Sequence, residues 1–148
     1  MACNAYDLDG VLAEAPAPAE KSFFKSNGAE RRARKEYLLD FHAKAQPLFV
    51  PPEDNFSIIT ARKDVAPIKS VTIKWLMDCM PAGKVFDIAF LREGRTIKNV
   101  VAFKTRRLIE IDAQEFTEDN EKVLKGIRKN LPNIKLWLYK DGERHIYP

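Results

Sequence analysis

The chain has 148 residues, 45% of them hydrophobic and 31% charged, with a formal net charge of +4. That length sets one domain as the expectation, and the composition supplies a core and excludes a disordered or fibrous chain. No apolar run approaches the roughly 18 residues of a membrane span, and the N-terminus lacks a basic region followed by an apolar stretch, so neither a span nor a secretory signal is expected. Cys3 and Cys79 have no metal-like spacing and read as two reduced thiols in an intracellular, cytoplasmic protein. The charge is unevenly spread. From Lys21 to Lys44 seven lysines and arginines face three acids, a local +4 equal to that of the whole chain, and such a field attracts anions.

In chain order, residues 2–8 (ACNAYDL) predict a first strand. Gly10, Pro16, Pro18 and the Asn27-Gly28 pair make the next stretch a loop or flap, assigned to residues 12–28. Residues 29–45 predict a helix with Tyr37, Leu38, Phe41 and Ala45 on its apolar side, and Pro51 and Pro52 stop that segment. Residues 55–60 predict a second strand ending at Thr60. Asp64 suits an N-cap and Pro67 a first helical turn, and Ile68, Val71, Thr72, Trp75, Leu76 and Cys79 then keep one helical stripe. Residues 84–90 predict a third strand, 91–99 a loop or small hairpin around Gly94, and 104–111 a short helix. Residues 113–117 predict a fourth strand, 120–131 a helix with Val123, Leu124, Ile127 and Leu131 inward, 134–139 a fifth strand, and 142–148 a tail. No repeat or low-complexity segment appears.

Strand and helix in alternation predict an α/β fold: three layers in a Rossmann-like arrangement, a mostly parallel sheet of about five strands with helices on both faces. In such sheets ligands sit beyond the carboxyl ends of the strands, near the point where the strand order reverses. Strand ends therefore supply the candidates: Asp7 and Asp9 after the first, Thr60, Ala61 and Arg62 after the second, Glu118 and Asp119 after the fourth, with Lys104 opening the short helix. Carboxylates from two strand ends repel and lose hydration when brought together. A divalent cation offsets both effects, and oxygen ligands of this kind suit Mg2+.

Plainer explanations exist for each piece. A calcium loop starting at Asp7 fails on Val11 and Leu12, which stand where an acid or amide and a glycine are required. Asp7 and Asp9 could be turn formers, Thr60 could simply end a strand, and Asp119 or Asn120 could cap the next helix, which does not exclude metal binding. Lys98 rivals Lys104 but falls in the expected loop. His42 is expected on a helix surface or partly packed, and no chemical role is expected for His145.

Taken together, AYDLDGVL, FSIITAR, VAFKTRRL and EFTEDN resemble, in order, the four motifs of the haloacid dehalogenase superfamily, the magnesium-dependent aspartyl-phosphate enzymes. The resemblance spans about Ala2 to Tyr139. It implies that Asp7 attacks phosphorus as the nucleophile. Asp9 then protonates the leaving oxygen and afterwards takes a proton from water. It further implies that Thr60 and the Ala61 N–H contact phosphoryl oxygens, and that Lys104 holds the phosphoryl group. Mg2+ would be held by Asp7, the Asp9 carbonyl and Asp119, with Glu118 directly or through water. Phosphatase is the default over dehalogenase because dehalogenase relatives lack the second aspartate, Asp9.

Fifty residues (10–59) separate Asp9 from Thr60, and 43 (61–103) separate Thr60 from Lys104. A helix and a strand use up most of each gap, so a single domain over 1–148 with no full cap is expected. Lys21 and Lys25 flank Phe23 and Phe24 in the flap, and Arg62 is placed to hold a second phosphate. Cations mixed with aromatics suit a nucleotide or a phosphorylated nucleic-acid end. The "RRARK" run reads equally as a solvated helix face. Small sugar phosphates or phosphoproteins remain alternative substrates; a non-catalytic domain of the same fold or a basic nucleic-acid-binding module is the alternative class. No membrane partner is expected, and oligomerisation is left open.

Overall fold

A computed structural model describes residues 3–16, 28–81 and 83–148. Among them the elements run β1 (Cys3–Tyr6), α1 (Gly28–Lys44), β2 (Phe56–Lys63), α2 (Ala66–Cys79), β3 (Val85–Leu91), α3 (Ile97–Glu110), β4 (Ala113–Glu118), α4 (Glu121–Asn130), β5 (Lys135–Lys140) and β6 (Glu143–Tyr147). The six strands form one sheet in the order β3-β2-β1-β4-β5-β6, parallel throughout except for the β5–β6 pair. The chain winds outward from β1 to β2 and β3, then crosses back to place β4 on the other side of β1. The order therefore reverses at β1.

Side chains alternate across the sheet, and two cores result. Tyr6, Phe56 and Ile58 pack with Trp75 and Leu76 of α2 on one face. Ala5, Ile59 and Phe116 pack with Phe103 and Leu108 of α3 and Leu124 and Ile127 of α4 on the other. The mostly parallel α/β sheet with helices on both faces matches the expectation in kind. It has six strands where about five are expected.

The sixth is the segment 142–148, expected as a tail. Asp141 (φ 54°) and Gly142 (φ 79°) form a two-residue turn, and Lys140 then pairs with Glu143. Both central residues of a type I′ turn need positive φ, which is why Asp-Gly favours such hairpins. A second difference concerns α3. It begins at Ile97, not at 104, because the Thr96 side chain accepts the Asn99 N–H at 3.1 Å and caps it. Lys104 is therefore mid-helix. β2 runs on to Lys63, and α2 is capped at Val65 with no side-chain hydrogen bond. Asp64 binds Lys69 and Arg92 instead. Among the described residues no helix is long and apolar enough to cross a membrane.

Candidate active site

The acids converge because of register. In the β1–β4 pair Tyr6 lies opposite Thr117, and the Asp7 N–H donates to the Thr117 carbonyl at 2.9 Å. One step further along both parallel strands, Asp7 and Glu118 stand side by side, with Asp119 next. One carboxylate oxygen from each of Asp7, Glu118 and Asp119 lies within 4.8 Å of the others.

Gly10 makes room for this group. Its φ of 84° suits glycine, and a Cβ there would lie 2.1 Å from Asp119 Oδ2. The turn that carries it is compact. The Leu8 carbonyl accepts from the N–H groups of Val11, Leu12 and Ala13, and Leu12 and Ala13 are buried.

Lys104, 2% exposed, reaches from the middle of α3 to Asp7 Oδ1 at 2.8 Å and Glu118 Oε1 at 2.6 Å. Lys98 is exposed in the first turn of the same helix, six residues earlier, so of the two lysines Lys104 stands at the acids. Glu118 is committed on both oxygens. Its Oε2 accepts the backbone N–H groups of Asp119 and Asn120 at 3.0 and 3.3 Å. Asn120, not Asp119, caps α4 by accepting the Lys122 N–H at 3.0 Å.

Three carboxylates around one ammonium leave an excess of negative charge. Burial first, then the Glu118 charge, pushes the Asp7 carboxyl up to about 8 against the pull of Lys104. Burial and then Asp7 push Asp119 up to about 6, and burial raises Glu118. Burial would lower the Lys104 ammonium, but Asp7 and Glu118 outweigh it and hold it above its ordinary value. The donors are all oxygen and the negative charge exceeds what Lys104 offsets, so the residues fit a hard divalent cation.

The second aspartate has a different partner. Between the pairs Thr60–Phe90 and Lys63–Leu91 the β2–β3 register shifts, leaving Ala61 and Arg62 as extra residues on β2. Bulges of this kind re-aim side chains beside active sites. Arg62, 3% exposed, donates through Nε and Nη2 to Asp9 at 3.0 and 2.7 Å and through Nη1 to Thr72 Oγ1 at 2.8 Å. Burial would raise the Asp9 carboxyl, but Arg62, aided by His42 and Arg95, holds it below the usual carboxylate range.

Arg62 is expected to hold a second phosphate. Its guanidinium is instead turned to Asp9 and Thr72. Thr60 is fully buried and its Oγ1 accepts the Arg62 backbone N–H at 3.1 Å. Ala61, rather than Thr60, lines the cavity of about 220 Å³ that Asp7, Asp9, Lys104 and Asp119 enclose.

Two residues at this site are missed by the sequence reading. Arg95 lines the cavity, just before the Thr96 cap. A threonine followed by an apolar helical stretch was the signal, and it falls in a segment expected to be loop. His42 is buried with Nδ1 3.9 Å from Asp9 Oδ1. Its place one turn after Leu38, on the apolar side of the helix, was the available sign. Arg31, Arg32 and Lys35 of the basic run are exposed on α1. Lys21 and Lys25, expected at the substrate, lie outside the described residues, as do Phe23 and Phe24. The chain matches no protein-family model, and no curated protein matches it.

Proposed function

We propose that this chain is a magnesium-dependent phosphatase of the haloacid dehalogenase type, with that superfamily's Rossmann-like fold. It would hydrolyse a phosphate monoester through an aspartyl-phosphate on Asp7. The observation that carries this reading is the meeting of Asp7, Glu118 and Asp119 with Lys104 where the strand order reverses. Four sequence motifs in the superfamily's order support it independently.

Attack on a phosphate dianion needs alignment and charge neutralisation more than a strong nucleophile. Asp7 Oδ attacks phosphorus, the ester bond breaks, and the leaving oxygen takes a proton from Asp9. Water then attacks the aspartyl-phosphate, with Asp9 as base, releasing phosphate and restoring Asp7. Lys104 orients the Asp7 carboxylate and offsets its charge. Glu118, fixed by two backbone N–H groups, holds Lys104 in place. Asp7, Asp119 and the Asp9 carbonyl would hold Mg2+, which supplies charge neutralisation and Lewis acidity. Arg95, which lines the cavity with Lys104, would meet a substrate phosphate.

The Arg62 link favours ionised Asp9. That state suits the water-activating half of the cycle. Proton donation in the first half requires Asp9 to release Arg62 and take up a proton from solvent before the ester bond breaks.

The test is turnover of p-nitrophenyl phosphate with Mg2+ and with chelator. We expect metal-dependent turnover that Asp7→Asn lowers by roughly 10⁴-fold or more, the scale of losing a nucleophile. Undiminished turnover in Asp7→Asn, or none on any of a panel of phosphate monoesters, would refute the assignment.

A further inference from the structure

We propose that the groove between α3 and α4 holds the backbone of a single-stranded polynucleotide whose terminal phosphate sits at Asp7. The inference deepens the phosphatase reading, and rests on it for the terminal phosphate alone. The groove encloses about 740 Å³. Its floor is aliphatic, with Ile97, Val101 and Ile109 along α3, and Ile97 and Ile109 are 44% and 61% exposed. The two helices close up at Gly126, where a Cβ would fall 2.6 Å from Val101 Cγ2.

Lys98 on α3 and Lys122, Lys125 and Lys129 on α4 line the walls. Positions 122, 125 and 129 share one helix face and span about 10 Å. Among the described residues none of these four ammonium groups has a carboxylate partner, whereas Lys44, Lys69 and Lys74 each do. The acid of the groove, Glu110, is shared by Arg106 and Arg107. Unpaired cations above an apolar floor suit an extended anion with apolar faces.

Continuity with the site selects the occupant. Ile97 borders both the groove and the Asp7 cavity, with Arg95 on the cavity side and Lys98 on the groove side. Both helices start at the sheet end that carries the acids, so the groove leads away from them. A strand ending in a phosphate presents one further anion per nucleotide along such a path, and its nucleosides can lie on the aliphatic floor. A phosphopeptide carries no regular run of anions on its backbone, and a bilayer surface is too flat for a concave groove.

The experiment is fluorescence anisotropy of the full chain, in chelator, with terminally phosphorylated oligothymidylates of two to eight nucleotides. Parallel titrations use an oligoglutamate peptide and phosphatidylserine vesicles. We expect affinity to rise with length and to fall with salt at a log–log slope of about −0.7 per phosphate contacted. The triple variant Lys122→Gln/Lys125→Gln/Lys129→Gln should weaken octamer binding roughly 10- to 100-fold and flatten the slope by about 2. Lys98→Glu, on the other helix, should weaken it as well, and melting curves check that both variants fold. Octamer binding that ignores length, or is equally tight in the triple variant, overturns the proposal. So does binding of the peptide or vesicles, lost in that variant, without binding of the oligonucleotide. Turnover of the phosphate-monoester panel, p-nitrophenyl phosphate included, separates the two readings. Length-dependent binding without turnover keeps the groove and removes the phosphatase. Turnover without length-dependent binding removes the groove alone.

Discussion

Arg62 and Asp9 form a bidentate, part-buried ion pair, the geometry in which arginine is least replaceable by lysine. If Arg62 positions the acid–base group, Arg62→Ala should lower kcat more for alkyl than for aryl phosphates, because poor leaving groups depend most on a placed proton donor. The alkyl loss is expected to approach the roughly 10²–10⁴-fold worth of acid–base catalysis, with KM little moved, and Arg62→Lys should not restore it. A rise in KM alone would instead return Arg62 to the phosphate-binding role expected from the sequence. Gly10 gives a second test at this scale. Gly10→Ala must both adopt a φ of 84° and displace Asp119, so we expect a loss of about 1–3 kcal/mol in urea unfolding and a higher Mg2+ requirement for turnover. A variant with parental stability and metal dependence would contradict the crowding of that turn. The residue types of the site, acids at two strand ends and a lysine on a helix, were legible from spacing. The partner of Asp9 was not, because Arg62 reaches it only through a bulge in β2.

At the level of elements, α3 and α4 approach closely only because residue 126 lacks a side chain. Replacing a helical glycine by alanine ordinarily gains up to about 1 kcal/mol, but overpacking against Val101 costs about 1–3 kcal/mol. Gly126→Ala should therefore lower the urea midpoint, and adding Val101→Ala should recover part of the loss. A stabilised single variant would mean that the helices part at little cost. The strand–helix alternation was readable from hydrophobic period, yet two boundaries were not. The start of α3 depended on weighing Thr96 as a cap, and β6 on weighing Asp141-Gly142 as a hairpin turn. In both cases a one- or two-residue signal competed with a longer polar stretch that reads as loop.

For the molecule as a whole, the clustered acids link folding to pH and metal. Folded-state values of about 8 for Asp7 and about 6 for Asp119 lie above the ordinary carboxylate range. Both groups bind protons more tightly folded than unfolded. Their contribution is thus complete below about pH 4 and is lost as pH rises through about 6 and then 8. In chelator the Tm should fall from pH 5 to pH 8.5, and Asp7→Asn should flatten that fall. Magnesium should raise the Tm more at pH 8 than at pH 5.5, since its ligands must be ionised. A Tm that climbs over this range in chelator would show that the acids are not mutually repelling.

The amino-acid order alone determined the α/β alternation, the acids and lysine available for chemistry, and the glycine turn after the first strand. These follow from local rules, the periods of 2.0 and 3.6 and the φ preferences of glycine and aspartate. Only the tertiary structure decided that Asp7 meets Glu118, that Lys104 bonds both of them, reaching Asp7 across 97 positions of chain, and that Arg62 clasps Asp9. Those contacts depend on strand order and register, which are set by packing the whole sheet at once and leave no local mark on the residues they bring together.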